Sequence, residues 1–120
     1  MLVSATSDYT RRNWKKIQDR ARFEDEIVVV TTHDQPVAAV MSVPAWRRRA
    51  TDGDLDPDAV LTRGVRDGRT KQHDMLTDAR MGKATLLRFR GVEDVVIFAP
   101  IALLSDDEIA KAVAAPLDDE

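Results

Sequence analysis

Ile27-Val-Val-Val-Thr31 and Val37-Ala-Ala-Val-Met-Ser-Val43, separated by Thr32-His-Asp-Gln-Pro36, decide how this chain folds. The first run is almost wholly β-branched, which suits a strand buried on both faces. The stretch between carries turn chemistry, so the two runs predict a β-hairpin with a loop of about four or five residues. Upstream, Leu2-Val-Ser-Ala5 reads as a short strand. Thr6 or Ser7 then offers a hydroxyl N-cap, with Asp8 in the first turn. Thr10, Trp14, Ile17 and Ala21 recur on one helical face, predicting a helix from Asp8 to about Phe23. Its other face is basic: Arg11, Arg12, Lys15, Lys16, Arg20 and Arg22. Downstream, Pro44-Ala-Trp46 and Arg47-Arg-Arg49 predict a short helix.

The order then recurs. Val60-Leu-Thr62 resembles the opening strand, and a helix is expected from about Arg69 to Arg80. Thr85-Leu-Leu-Arg-Phe89 and Asp94-Val-Val-Ile-Phe-Ala99 form a second hairpin around Arg90-Gly91. Leu2-Val-Ser4 aligns with Val60-Leu-Thr62 at a shift of 58, and Val40-Met-Ser-Val-Pro44 with Val96-Ile-Phe-Ala-Pro100 at a shift of 56. Gly64 and Gly68 are expected to weaken the second helix near its start. Ser105-Asp-Asp-Glu108 fits a capping box, opening a helix that Pro116 stops and that docks on its own half. A sharper reading makes that acidic, amphipathic segment a clamp for a basic partner.

These signals divide the chain into residues 1–50, an acidic linker 51–58, a second, degenerate module 59–104, and an acidic helix and tail 105–120. The net charge of −3 hides this layout. Each module carries a net +3, and the acid is concentrated in the linker and the tail. A basic patch can therefore meet phosphate although the chain as a whole is acidic.

Composition narrows the function classes. With no cysteine there is no disulfide framework, thiolate zinc site or catalytic thiol. His33 and His73 are the two histidines, at a spacing that supplies no local metal motif. No Gly-rich phosphate loop or nucleophile elbow is present, and Glu24/Glu26 or Asp106/Asp107 read as solvated charge. No enzyme, metal or cofactor is expected. No apolar run is long enough to span a membrane, and Met1-Leu-Val-Ser-Ala5 lacks a signal-peptide pattern, so a cytoplasmic protein is expected. The six aromatic residues are scattered, too few near the basic face for a single-strand stacking surface.

Leu2-Val-Ser-Ala5, Thr10-Arg-Arg-Asn-Trp14, the hairpin runs and Trp46 together resemble the N-terminal module of the prevent-host-death (Phd/YefM) antitoxins. Arg11 and Asn13 match that family's helix motif, and Trp14 stands where it has leucine. The match covers residues 1–49. The resemblance implies an α+β strand–helix–hairpin module that dimerises and binds palindromic operators through its basic helix and hairpin. Two such modules in tandem would form a pseudodimer within one chain; a homo-oligomer is the other arrangement. Two departures stand out. Thr32 and His33 occupy a turn where relatives carry Arg, while Arg88 and Arg90 lie near the second turn. The family's C-terminus is usually a partly disordered toxin-binding tail, whereas residues 59–104 look foldable.

The expected function is therefore a sequence-specific regulator that binds double-stranded DNA. Its contacts would come from Arg11, Arg12, Asn13, Lys15, Lys16, His33, Arg88 and Arg90, with Trp14, Ile17 and Trp46 in the core or a dimer interface. The alternatives are an antitoxin whose C-terminal half binds a cognate toxin, and an adaptor that has lost DNA binding.

Overall fold

The hairpin forms from β2 (Ile27–Thr32) and β3 (Gln35–Met41), with Val28, Val29 and Val30 wholly buried. A computed structural model describes residues 1–119 and places this hairpin in one six-stranded mixed sheet. The remaining strands are β1 (Leu2–Thr6), β4 (Val60–Gly64), β5 (Ala84–Phe89) and β6 (Glu93–Pro100), in the order β1-β2-β3-β6-β5-β4. The described residues also form six helices: α1 (Ser7–Arg12), α2 (Trp14–Phe23), α3 (Val43–Asp52), α4 (Asp67–Thr70), α5 (Gln72–Arg80) and α6 (Asp106–Val113). The fold class is α+β. None of these helices is long and apolar enough to cross a membrane.

The sheet order is the same read from either edge, and the pairings agree. β1 runs parallel to β2 and β4 parallel to β5, opening at Leu2–Ile27 and Val60–Ala84. β2–β3 and β5–β6 are antiparallel, opening at Val28–Val40 and Thr85–Phe98. Both hairpins slip register at the corresponding place, between Val30 and Thr31 and between Leu87 and Arg88. β3 and β6 pair antiparallel at the centre, where Val40 faces Phe98. Those two residues are counterparts, so a pseudo-twofold axis passes between them. The shift for this strand is 58, as it is for Leu2 and Val60, and not the 56 that the apolar runs suggest. A slip of two residues leaves every side chain on its original face, so the hydrophobic pattern does not detect it.

Two apolar layers hold the sheet. On one face Val28, Val30, Val40, Leu87 and Phe98 pack beneath α2 and α5. On the other, Val29, Met41, Leu86 and Ile97 pack beneath α3 and α6. The helices cross the axis: α2 reaches β6 and α5 reaches β3. α3 lies over β6, and α6 lies on β1 and β2 rather than on its own half. The edge of β1 attracts α6 because the chain beyond it covers that edge, the Ser4 amide donating to the Ala115 carbonyl at 3.1 Å. The capping box forms at Ser105 and Glu108. Glu108 also accepts two bonds from the Arg49 guanidinium, at 2.7 and 3.1 Å, tying α6 to α3.

Four local expectations are corrected. The helix from Asp8 to Phe23 is two helices, broken at Asn13 (φ −118°, ψ 35°), where the Tyr9 carbonyl accepts from both the backbone and side-chain amides of Asn13. The helix from Arg69 to Arg80 breaks at the corresponding Lys71 (φ −128°, ψ 26°), and its first part begins at Asp67. The first hairpin turn is two residues, His33 and Asp34, both at positive φ (51° and 63°) as a turn matched to strand twist requires. Pro36 lies inside β3, opposite Thr31 at the register slip, where its missing N–H is tolerated. The acidic stretch 51–58 is no free linker: its first two residues end α3, and the Pro57 carbonyl accepts from Trp46 Nε1 at 2.9 Å.

Reciprocal bonds across the axis lock the helices. Trp14 Nε1 donates to the Val65 carbonyl at 2.7 Å, and Gln72 Nε2 donates to the Ser7 carbonyl at 2.8 Å. Donors and acceptors are both counterparts at a shift of 58. Gly68 is required here and is no mere weakness in a helix. A Cβ at that position would stand 2.1 Å from the Trp14 ring.

Gly68→Ala should therefore destabilise the protein by about 2–3 kcal/mol in urea unfolding, despite a helix-propensity gain of about 1 kcal/mol. Unchanged or increased stability would contradict the packing. Arg49 holds the Glu108 carboxyl down to about 2 from its ordinary 4.5, chiefly through the guanidinium bond and then through the Ser105 amide. A lowered folded-state pKa contributes stability above pH 4.5 that is lost as pH falls toward about 2. With 28% and 27% of the two side chains exposed, the contribution is on the order of 1–2 kcal/mol. Glu108→Gln should lower neutral-pH stability by that amount and flatten the acid limb of the stability profile, read by thermal unfolding from pH 2 to 7.

Candidate nucleic-acid interface

The breaks at Asn13 and Lys71 let α1 and α4 turn away from the helices that follow and cross each other near the axis. Thr6 caps α1, its hydroxyl accepting from the Tyr9 amide at 3.0 Å. Thr10 is buried, which leaves Arg11 and Arg12 on the outer side. Both guanidiniums reach Asp8, at 2.5 and 2.9 Å, and all three side chains remain largely exposed.

Two open hollows flank this crossing. The first, about 440 Å³, is lined by Arg12, Lys15, Lys16, Arg66 and Arg69 with Trp14 as a wall. The second, about 610 Å³, takes Arg11, His33, Arg69, His73 and Arg80 with Asp8. Arg69 belongs to both and joins them into one cationic band. Among the described residues Lys16, Arg66, Arg69 and Arg80 have no carboxylate partner. Four uncompensated cations beside an axis of approximate symmetry are chemically suited to hold phosphates.

The predicted contacts divide. Arg11, Arg12, Lys15 and Lys16 lie on this band, and the β2–β3 turn brings His33 to it. Asn13 lines the first hollow, but its amide is engaged by the Tyr9 carbonyl at 3.1 Å. Arg88 lies away from the band, beside Val43, Trp46 and Arg47 on the α3 face, and pairs with Asp94 at 2.8 Å. Arg90 sits at the tip of the second hairpin with its guanidinium over the Phe89 ring. Trp14, Ile17 and Trp46 are buried core residues, Trp14 bridging the two halves. Sequence reasoning missed Arg66, Arg69 and Arg80. Arg69 is the counterpart of Arg11, so the shift of 58 already seen at Leu2 and Val60 could have found it. Among the described residues no group of three or more His, Asp or Glu is placed to hold a metal ion.

Compared with protein-family models, curated proteins and solved structures, the chain matches none.

The two neighbours in the Arg12-Asn13 pair should separate by role. Asn13→Ala removes a half-buried bond at the helix break and should cost about 1 kcal/mol of stability. Arg12→Gln removes an exposed ion pair and should cost less than about 0.5 kcal/mol. Chemical unfolding of both variants checks this, and equal losses would contradict it.

Proposed function

We propose that this chain is a double-stranded DNA-binding transcriptional regulator of the Phd/YefM antitoxin type, acting in the cytoplasm as an intrachain pseudodimer. The observation that carries the reading is the cationic band across the pseudo-twofold axis, with Lys16, Arg66, Arg69 and Arg80 uncompensated. A duplex has approximate twofold symmetry and a phosphate every few ångströms, and cations that meet it release condensed counterions. Exposed Arg11 and Arg12 are placed to add contacts, because a phosphate can replace Asp8 as their partner. The strand–helix–hairpin order of both halves supports the tandem reading. In the alternative, where the C-terminal half neutralises a toxin, α6 would be the clamp; yet its Ala112 is buried and its Glu108 is engaged by Arg49.

The test is anisotropy titration of a labelled duplex over a range of salt. About five phosphate contacts give a slope of log K against log salt of roughly −4.5. Arg66→Gln combined with Arg69→Gln should reduce the magnitude of that slope by about two, and Arg90→Gln should leave it unchanged. Salt-independent binding, or an unchanged slope in the double variant, would sink the reading.

A further inference from the structure

The two hollows are counterparts of each other. Arg12, Trp14, Lys15 and Gln18 line the first, and the residues 58 positions later, Thr70, Gln72, His73 and Leu76, line the second. Arg66 and Arg69 line the first, and the residues 58 positions earlier, Asp8 and Arg11, line the second. The axis that maps Val40 onto Phe98 thus maps one hollow onto the other.

Their chemistry differs. The first holds five permanent cations and no carboxylate. In the second, Arg12 has become Thr70, Lys15 has become His73, and Arg66 has become Asp8, whose carboxylate already engages Arg11 and Arg12. Lys16 corresponds to Asp74, a further reversal of charge. The walls differ as well. The Trp14 indole fills its space and has its N–H satisfied by Val65, whereas Gln72, 5% exposed, leaves Oε1 without a partner. Thr32 Oγ1, on the same hollow, is also buried without one. The first hollow thus presents five cations, whereas the second presents three arginines against Asp8, with neutral hydrogen-bonding groups at two positions where the first has a cation or the indole.

Resting on the duplex-binding reading, we infer that the two hollows are unequal seats for backbone phosphates, and that the Trp14-walled seat supplies most of the affinity. The chain then grips a duplex in one orientation, strongly at one side of the axis and weakly at the other. A homodimer cannot do this, because its two seats are identical. Both hollows are wide and open, which suits a run of backbone phosphates that enters and leaves along the surface.

The experiment compares two double variants of the full chain on a duplex of roughly 20 base pairs at pH 8. Lys15→Gln with Arg66→Gln removes two of the five cations of the first seat, and His73→Gln with Arg80→Gln alters the second. None of the four side chains is buried, so folding should persist, and thermal unfolding checks it. The first pair should weaken binding at least tenfold and reduce the salt slope by about two. The second should weaken it less than threefold. Equal losses, or a larger loss in the second pair, would overturn the inequality while leaving duplex binding in place. A wild-type chain that does not bind the duplex would overturn both this inference and the reading beneath it.

Discussion

The antiparallel pairing of β3 with β6 about Val40 and Phe98 is the contact on which the rest of the fold depends. Each hairpin alone would expose one edge and could not cover both of its apolar faces. Joining them at the centre buries that edge and produces two continuous apolar layers. It also bears on where four of the helices go, because α3 and α6 rest on strands of the opposite half and α2 and α5 on strands of both. Those crossings interlock the halves. Removing residues 59–119 would expose the underside of α3 and the free edge of β3 together.

The same seam brings α1 and α4 to the axis, and close approach there depends on Gly68 beneath the Trp14 ring. Reciprocal donation from Trp14 to Val65 and from Gln72 to Ser7 then ties α2 to the start of the second half's helices and α5 to the start of α1. Because both halves belong to one chain, counterpart positions are free to differ. Most buried helix positions keep their apolar character, as Ile17 with Met75 and Ala21 with Ala79, the exception at the seam being Trp14 with Gln72. Surface positions diverge in charge, as Lys16 with Asp74. Packing is therefore nearly symmetric, and the electrostatic face is not. On the proposed reading, the shared scaffold positions the interface and the divergence gives it direction.

Much of the fold was legible in the sequence. The β-branched run Ile27–Thr31 and its apolar partner specify a buried hairpin, and Leu2 and Val60 reveal the true repeat. Three features were not legible, each for a physical reason. The break at Asn13 is silent because Thr10, Trp14, Ile17 and Ala21 keep helical spacing through it. The shift of β3 onto β6 was read two residues short because fully buried strands look alike at a slip that preserves their faces. Gly68 reads as a helix breaker until the Trp14 ring is seen above it. At the candidate site, Arg11, Arg12, Lys15 and Lys16 were found because they alternate with core positions on one helix. Arg66, Arg69 and Arg80 come from elements 50 or more residues away, and only the sheet brings them together. Arg88 and Arg90 were added for their place near the second hairpin turn, where the resemblance implies a contact, but the pleat of β5 sends Arg88 to the opposite layer.

The central claim is that one chain presents a complete, twofold-like DNA-binding face. The mass of the complex with a short duplex, by sedimentation or native mass spectrometry, tests it most directly. The account predicts one 13.4 kDa chain per site, at protein concentrations from well below to well above saturation of that site. Two chains bound cooperatively to each site, with no one-chain complex, would contradict it.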